Sequence, residues 1–398
     1  MSEKQLSHKA SKLDHSIFIA VTLIYWSTLY VYVPILSPYL ESRGFAYSIV
    51  GIVLGSYGFM QIVIRFPLGL WSDRLRVRRP FLALGMLTGA LSCFLFSIDA
   101  SWQLSIVARA VSGVSASCWV AFTVLYASYF RQEEASRSMG NISLMTVGGQ
   151  LGGMAISGWL ADRWGWVATF QVGIVIGAIG FLLSLFIREP KGGVTRTPIR
   201  TTDLASVVRL PLLRKVSILS ILAHSVLFIT MFGFTPSQAI VLGANRADLT
   251  FIVFAFMVPH AIASFASGRW LAPKFGEWRI IVVGFFLSAA CTWLINLVPS
   301  LGWLAVTQAF NGLAQGLHMP LLLALAIRDV EQDKRATAMG FYQAIYAFGM
   351  FAGPFIAGWL IEAFGLGSGF ALGAISALLA SGLTVFWSKK PKLDLGQN

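Results

Sequence analysis

Twelve apolar runs follow one another along this chain, each long enough to carry an α-helix across the ~30 Å hydrocarbon layer of a bilayer. They fall near 16–40, 46–70, 80–98, 101–129, 138–160, 166–187, 215–241, 249–271, 279–298, 301–327, 338–361 and 369–387. Composition points the same way. Of the 398 residues, 56% are hydrophobic and 12% charged, where a soluble chain carries roughly a quarter charged. The expected fold is therefore an all-α polytopic membrane protein with twelve transmembrane helices. The first run is too long for the core of a cleavable signal and has no clear cleavage site. Cys93, Cys118 and Cys291 lie inside apolar runs without metal-ligand spacing and read as small packing residues.

An even number of spans puts both termini on one side, and the basic residues say which. Lys4, Lys9, Lys12, Arg74, Arg76, Arg78, Arg79, Arg131, Arg137, the linker arginines and lysines, Lys274, Arg279, Arg328, Lys334, Arg335 and the C-terminal lysines share that side. Arg43, Arg163 and Arg246 occupy the other. By the positive-inside rule both ends are cytoplasmic and the protein sits in the cytoplasmic membrane. The net charge of +13 then reflects topology and calls for no nucleic-acid partner.

The chain also repeats itself. "MGNISLMTVGGQLGGMAISGWLADRWG" (139–165) overlies "MGFYQAIYAFGMFAGPFIAGWLIEAFG" (339–365), pairing Met139 with Met339, Gly153 with Gly353, Trp159 with Trp359 and Gly165 with Gly365. "ARAVSGVSAS" (108–117) meets "TQAFNGLAQG" (307–316), pairing Gly113 with Gly312. Two pseudo-symmetric six-helix halves follow: 16–187 and 215–388, joined by a basic linker at 188–214, with cytoplasmic tails at 1–15 and 389–398. Duplicated halves characterise secondary transporters, whose substrate site lies between them near mid-membrane.

Residues 69–79, "GLWSDRLRVRR", resemble the signature between the second and third helices of the major facilitator superfamily (MFS). Gly69, Asp73, Arg74, Arg78 and Arg79 match, and Arg76 replaces the usual second glycine. "RAVSGVSAS" (109–117) resembles the family's helix 4 motif through Arg109 and Gly113. The resemblance covers the whole chain and implies a rocker-switch transporter of the twelve-helix efflux type, its cavity lined mainly by helices 1, 4, 7 and 10. It departs from the efflux pattern in helix 5, where Met154 follows Gly153 instead of proline. The duplicate in helix 11 does carry Gly353-Pro354. The family's gating signature gives Gly69, Asp73 and Arg74 a gating role. Asp73 can accept hydrogen bonds at the positive N-terminus of helix 11, with Arg131 as its partner.

One span carries an unusual stripe. Gln308, Asn311, Gln315 and His318 are spaced by three, four and three and so share one helical face. On a helix that the family assigns to the cavity, this face is expected to bind substrate. The other use of such groups is hydrogen bonding between helices. Arg109, within the fourth span, is the repeat counterpart of Gln308, and an arginine at that depth is a functional candidate by default. Arg65 lies one turn from the boundary of the second span, where snorkelling to headgroups and cavity lining are both open to it. Tyr25, Trp26, Tyr30 and Tyr32 in the first span, with Tyr342 and Tyr346 in the eleventh, offer aromatic surface. Of these, Tyr25 and Tyr30 join the substrate-binding set with Arg109, Arg65 and the stripe. No Asp or Glu lies plainly at mid-membrane, so His224 and His318 are the proton-coupling candidates.

The functional expectation is proton-coupled export of a small organic anion or zwitterion: a secreted metabolite, a metallophore or a drug. Uptake of an anionic nutrient is the second transporter reading. A non-transporting receptor or enzyme is the reading from another class, and no nucleophile motif, phosphate loop or metal cluster supports it. Its expected partners are the substrate, protons and the lipid bilayer, with no cofactor, no metal and a monomeric state.

Overall fold

The computed structural model describes residues 10–75, 77–98, 101–130, 135–190, 206–331 and 334–388; the side chains of residues 70, 73, 135–139 and 336 lie outside that description. Among the described residues the chain is helical and forms no strand. In lipid every backbone N–H and C=O must find a partner within the chain, which leaves helices as the solution for separate apolar runs.

The first half comprises α1 (Lys12–Ser42), α2 (Tyr47–Leu75), α3 (Arg79–Ile98), α4 (Trp102–Ala127), α5 (Ala135–Trp164) and α6 (Trp166–Ser184). The second comprises α7 (Pro211–Val241), α8 (Asp248–Phe275), α9 (Glu277–Leu297), α10 (Leu301–Arg328), α11 (Arg335–Phe364) and α12 (Leu366–Ser388). Eleven of these are long and apolar enough to cross a membrane. The twelfth, α5, is a 30-residue helix whose glycines, Asn141 and Gln150 dilute its hydropathy. It covers the expected fifth span.

Local sequence sets the helix ends. Ser11 caps α1 by accepting from the Asp14 N–H, while the Asp14 carboxylate accepts from the Ser11 N–H. Gly165 between α5 and α6 and its repeat partner Gly365 between α11 and α12 hold φ of 86° and 83°, a region open to glycine and strained for other residues. Inside α1 the helix tightens at Val33–Ile35 beside Pro34. At the matching point of α7 it widens into a π-turn at Thr230–Phe234.

The duplication is visible in three dimensions. A Cβ on Gly113 of α4 would meet the Tyr57 carbonyl oxygen of α2 at 2.6 Å, and one on Gly312 of α10 would collide with the Phe256 carbonyl of α8. Both glycines, and both residues they touch, are separated by 199 positions. The same close, small-residue crossing is thus built twice.

The halves meet at the end away from the termini. There Ser37 Oγ donates to the Gly233 carbonyl at 2.6 Å, Ser237 donates to Glu41, and the Ser48 N–H donates to Glu362 at 3.0 Å. Thr250 accepts from the Gly158 N–H at 3.1 Å, and Arg246 donates to the Ala161 carbonyl at 3.0 Å. α2 and α11 touch through bare backbone where Gly51 meets Pro354 and Gly358. Towards the other end, the described hydrogen bonds between halves stop at Arg65 and Tyr346.

Candidate functional site

Arg65 makes the last described hydrogen bond between the two halves on the side of the termini. It lies on α2, four residues after Gln61, so both side chains share a face. Its Nη2 donates to Gln61 Oε1 at 2.6 Å and to the Ala116 carbonyl of α4 at 3.3 Å. Its Nη1 donates to the Tyr346 hydroxyl of α11, in the other half, at 3.3 Å. The residue is 5% exposed, and its described hydrogen bonds run to protein groups of α2, α4 and α11. No carboxylate among the described residues pairs with it, and its described partners are all neutral groups.

From Arg65 two aromatic chains run outward. Tyr346 stacks face to face on His224 of α7, with ring centroids 4.0 Å apart. The His224 Nδ1 lies 2.8 Å from the Ser220 carbonyl, and the Ser220 hydroxyl is bonded to that of Tyr342 at 2.5 Å. On the other side, Trp119 of α4 follows Ala116 by three residues and meets Trp26 of α1 edge to face at 4.9 Å. Trp26 meets Tyr30 at 5.6 Å, and Tyr30 meets Phe232 of α7 at 5.5 Å. Tyr25 packs behind this wall, donating its hydroxyl to the Ser115 carbonyl at 2.5 Å. The site therefore draws on α1, α2, α4, α7 and α11.

Arg109 is sealed deeper in the first half. Its Nη1 donates to the Tyr32 hydroxyl at 3.1 Å, and its guanidinium lies 4.4 Å from the centroid of Tyr57. Tyr57 in turn stacks on Phe228 of the other half at 5.9 Å. One ring thus separates Arg109 from the seam between the halves.

The polar stripe of α10 is oriented differently from expectation. Gln308, Asn311, Gln315 and His318 are all fully buried. Ser288 of α9 donates to Asn311 Oδ1 at 2.9 Å and accepts from Gln315 Nε2 at 3.4 Å. The His318 ring stacks on Phe285 of α9 at 4.1 Å. None of the described hydrogen bonds or ring contacts of these four reaches the first half. The reason is steric and chemical together: Phe310 and other large apolar residues occupy the opposite, outward face, and the nearest hydrogen-bonding partner inside is Ser288. Asn311 and Gln315 thus bond to α9, while both polar atoms of Gln308 and both ring nitrogens of His318 are buried without a hydrogen-bond partner among the described residues.

Of the gating residues, Gly69 lies within the last turns of α2 near Val120, and the Arg74 side chain is exposed. The Asp73 side chain and Arg131 lie outside the described residues. Gln61, Tyr57, Trp119 and Ser288 escaped the sequence reading. Gln61 was signalled by its i, i+4 spacing to Arg65, and Trp119 by being the repeat counterpart of His318.

Known proteins agree with this architecture. The family model described as Major Facilitator Superfamily matches residues 17–243 and 216–397. The chain is 24% identical over 317 residues to the class C tetracycline resistance protein of Escherichia coli, covering 77% of this chain and 78% of that protein. It is 31% identical over 127 residues to the multidrug export protein EmrB of Haemophilus influenzae, a match that spans 32% of this chain and 25% of EmrB. Among solved structures, a mutant of the nucleoside transporter NupG superposes with a TM-score of 0.80 at 13% identity, covering 95% of this chain and 100% of that one. A bacterial homologue of the human lysosomal transporter Spinster, inward-facing and unoccupied, gives 0.76 at 16% identity, covering 95% and 96%.

Proposed function

The chain belongs to the Major Facilitator Superfamily, and we propose that it exports a small organic anion or zwitterion across the cytoplasmic membrane in exchange for protons. Membership makes it a multi-pass membrane transporter of small molecules and not an enzyme. Export is supported by its likeness to a multidrug export protein and a tetracycline resistance protein.

The observation that carries the anionic cargo is Arg65. A buried cation with only neutral partners is expensive in a membrane and is retained where it meets an opposite charge. Here it makes the last described hydrogen bond, on the side of the termini, between two halves that must move apart and together. A carboxylate entering beside it gains charge-assisted hydrogen bonds. A carboxylate-bearing metabolite or metallophore falls within this class.

His224 is the proposed proton carrier. With Nδ1–H donated to the Ser220 carbonyl, Nε2 is the nitrogen that takes up the proton. Its stacking on Tyr346, which Arg65 also holds, links cargo site and proton site through one ring. In the proposed alternation both termini are cytoplasmic, and Asp73, Gly69, Arg74 and Arg131 latch that side when it closes. The chain acts as a monomer in the bilayer.

The test uses inside-out membrane vesicles acidified by respiration and followed with a pH-sensitive acridine dye. Organic carboxylates and sulfonates added outside should release protons from vesicles containing this protein, and not from control vesicles. A panel that leaves both sets of vesicles alike would overturn the reading.

A further inference from the structure

We propose that the cargo carries a planar aromatic ring beside its anionic group, a deepening that rests on the anionic reading of the Arg65 site. The argument starts from unmet donors. The Trp26 indole N–H is buried and has no hydrogen-bond partner among the described residues, and neither has the Nε–H of Arg65. Both are donors. Trp26 meets Trp119, which stands one turn from the Ala116 carbonyl that Arg65 holds, so the two unmet donors belong to one wall.

Buried donors without partners are costly, and an incoming acceptor satisfies them. A carboxylate supplies acceptors; an ammonium group has none. The surrounding surface adds the second requirement. Trp26, Trp119, Tyr30 and Phe232 bring together aromatic rings from both halves, and the Arg65 guanidinium lies 5.9 Å from the Tyr346 ring centroid. Aromatic faces arranged at 60–79° to one another favour a flat ring that meets some edge to face and others by stacking. Trp119 and Tyr346 are only partly buried, and no described carboxylate shares the wall. A saturated acid would use the donors and leave the rings without a matched partner.

The experiment is calorimetric titration of the purified full-length protein in detergent with three probes of similar size. These are 2-naphthoate, its saturated counterpart decahydro-2-naphthoate, and the cationic 2-naphthylmethylammonium. The wild type should bind 2-naphthoate at least tenfold more tightly than the saturated acid and show no binding of the cation. Trp26→Phe, which keeps a ring and removes the N–H, should weaken both acids alike. Trp119→Leu should reduce the preference for the aromatic acid. Equal binding of the two acids by wild type overturns the aromatic inference and leaves the anionic reading standing. Binding of the cation as tightly as the acids, or of none of the three at millimolar concentration, overturns both. The wild-type comparison decides the matter even where a variant fails to fold.

Discussion

Arg65 of α2 and Tyr346 of α11, 281 residues apart in sequence, are joined by a 3.3 Å hydrogen bond that is the last described polar link between the halves on the side of the termini. Such a link must break or re-form whenever the halves rock. In the proposed mechanism it ties cargo recognition to the conformational change, because the guanidinium proposed to meet cargo also holds the opposite half.

For Arg109 we propose a different task. Its Tyr32 hydrogen bond and its position over Tyr57 brace α1, α2 and α4 from within. Arg109→Gln should lower the melting temperature of the detergent-solubilised protein, the lost desolvated cation–π contact being worth about 2 kcal/mol. Cargo affinity of the folded fraction should stay within threefold of wild type. A stable variant with affinity lost tenfold or more would make Arg109 a direct ligand instead.

Asn311→Ala should behave as a packing change. It strips Ser288 of its acceptor inside the second half, at a cost of about 1–3 kcal/mol. Adding Ser288→Ala and Gln315→Leu should recover part of that loss, since all three polar partners are then gone. Thermal unfolding reports the stability and probe titration the affinity, which should not move. Loss of affinity at full stability would return the stripe to the cargo site.

Much of this was legible in the sequence, and the part that was not has a physical cause. Apolar length predicts α1 to α12, and the repeat predicts which helices occupy equivalent places, because both follow from the bilayer's thickness and from shared packing glycines such as Gly113 and Gly312. Helical periodicity shows that Gln308, Asn311, Gln315 and His318 share a face. It does not show what that face meets, since a buried serine on the next helix and a watery cavity ask for the same residues. Arg65 was seen near a membrane boundary, but its direction depends on Gln61, Ala116 and Tyr346, two of them far away in the chain.

His224→Gln should uncouple transport from protons. Glutamine keeps hydrogen-bonding capacity near Ser220 and cannot take up a proton in the working pH range. Cargo exchange across liposomes without a gradient should persist, while stimulation by an imposed pH gradient should vanish. His318→Gln, buried against Phe285 in the second half, should keep its gradient response. The reverse pattern would move the proton site to α10.

Gly51→Leu should block the meeting of α2 and α11 at the end away from the termini, where a Cβ already collides with the Pro354 carbonyl. Transport in liposomes should fall at least tenfold, while probe affinity, set some four helical turns away at Arg65, should remain within threefold. Normal transport by this variant would mean that the close glycine contact is not revisited during the cycle.

The central claim is that the Arg65 charge holds the cargo's anionic group. It is tested most directly by titrating 2-naphthoate into wild type, Arg65→Lys and Arg65→Gln, each checked for folding by its melting curve. Removing a charge-assisted contact costs about 1.5–3 kcal/mol, so Arg65→Gln should bind about ten- to a hundredfold more weakly. Arg65→Lys should fall between the two, because an ammonium keeps the charge and loses the planar fork. A folded Arg65→Gln protein that binds the acid as tightly as wild type would contradict the account.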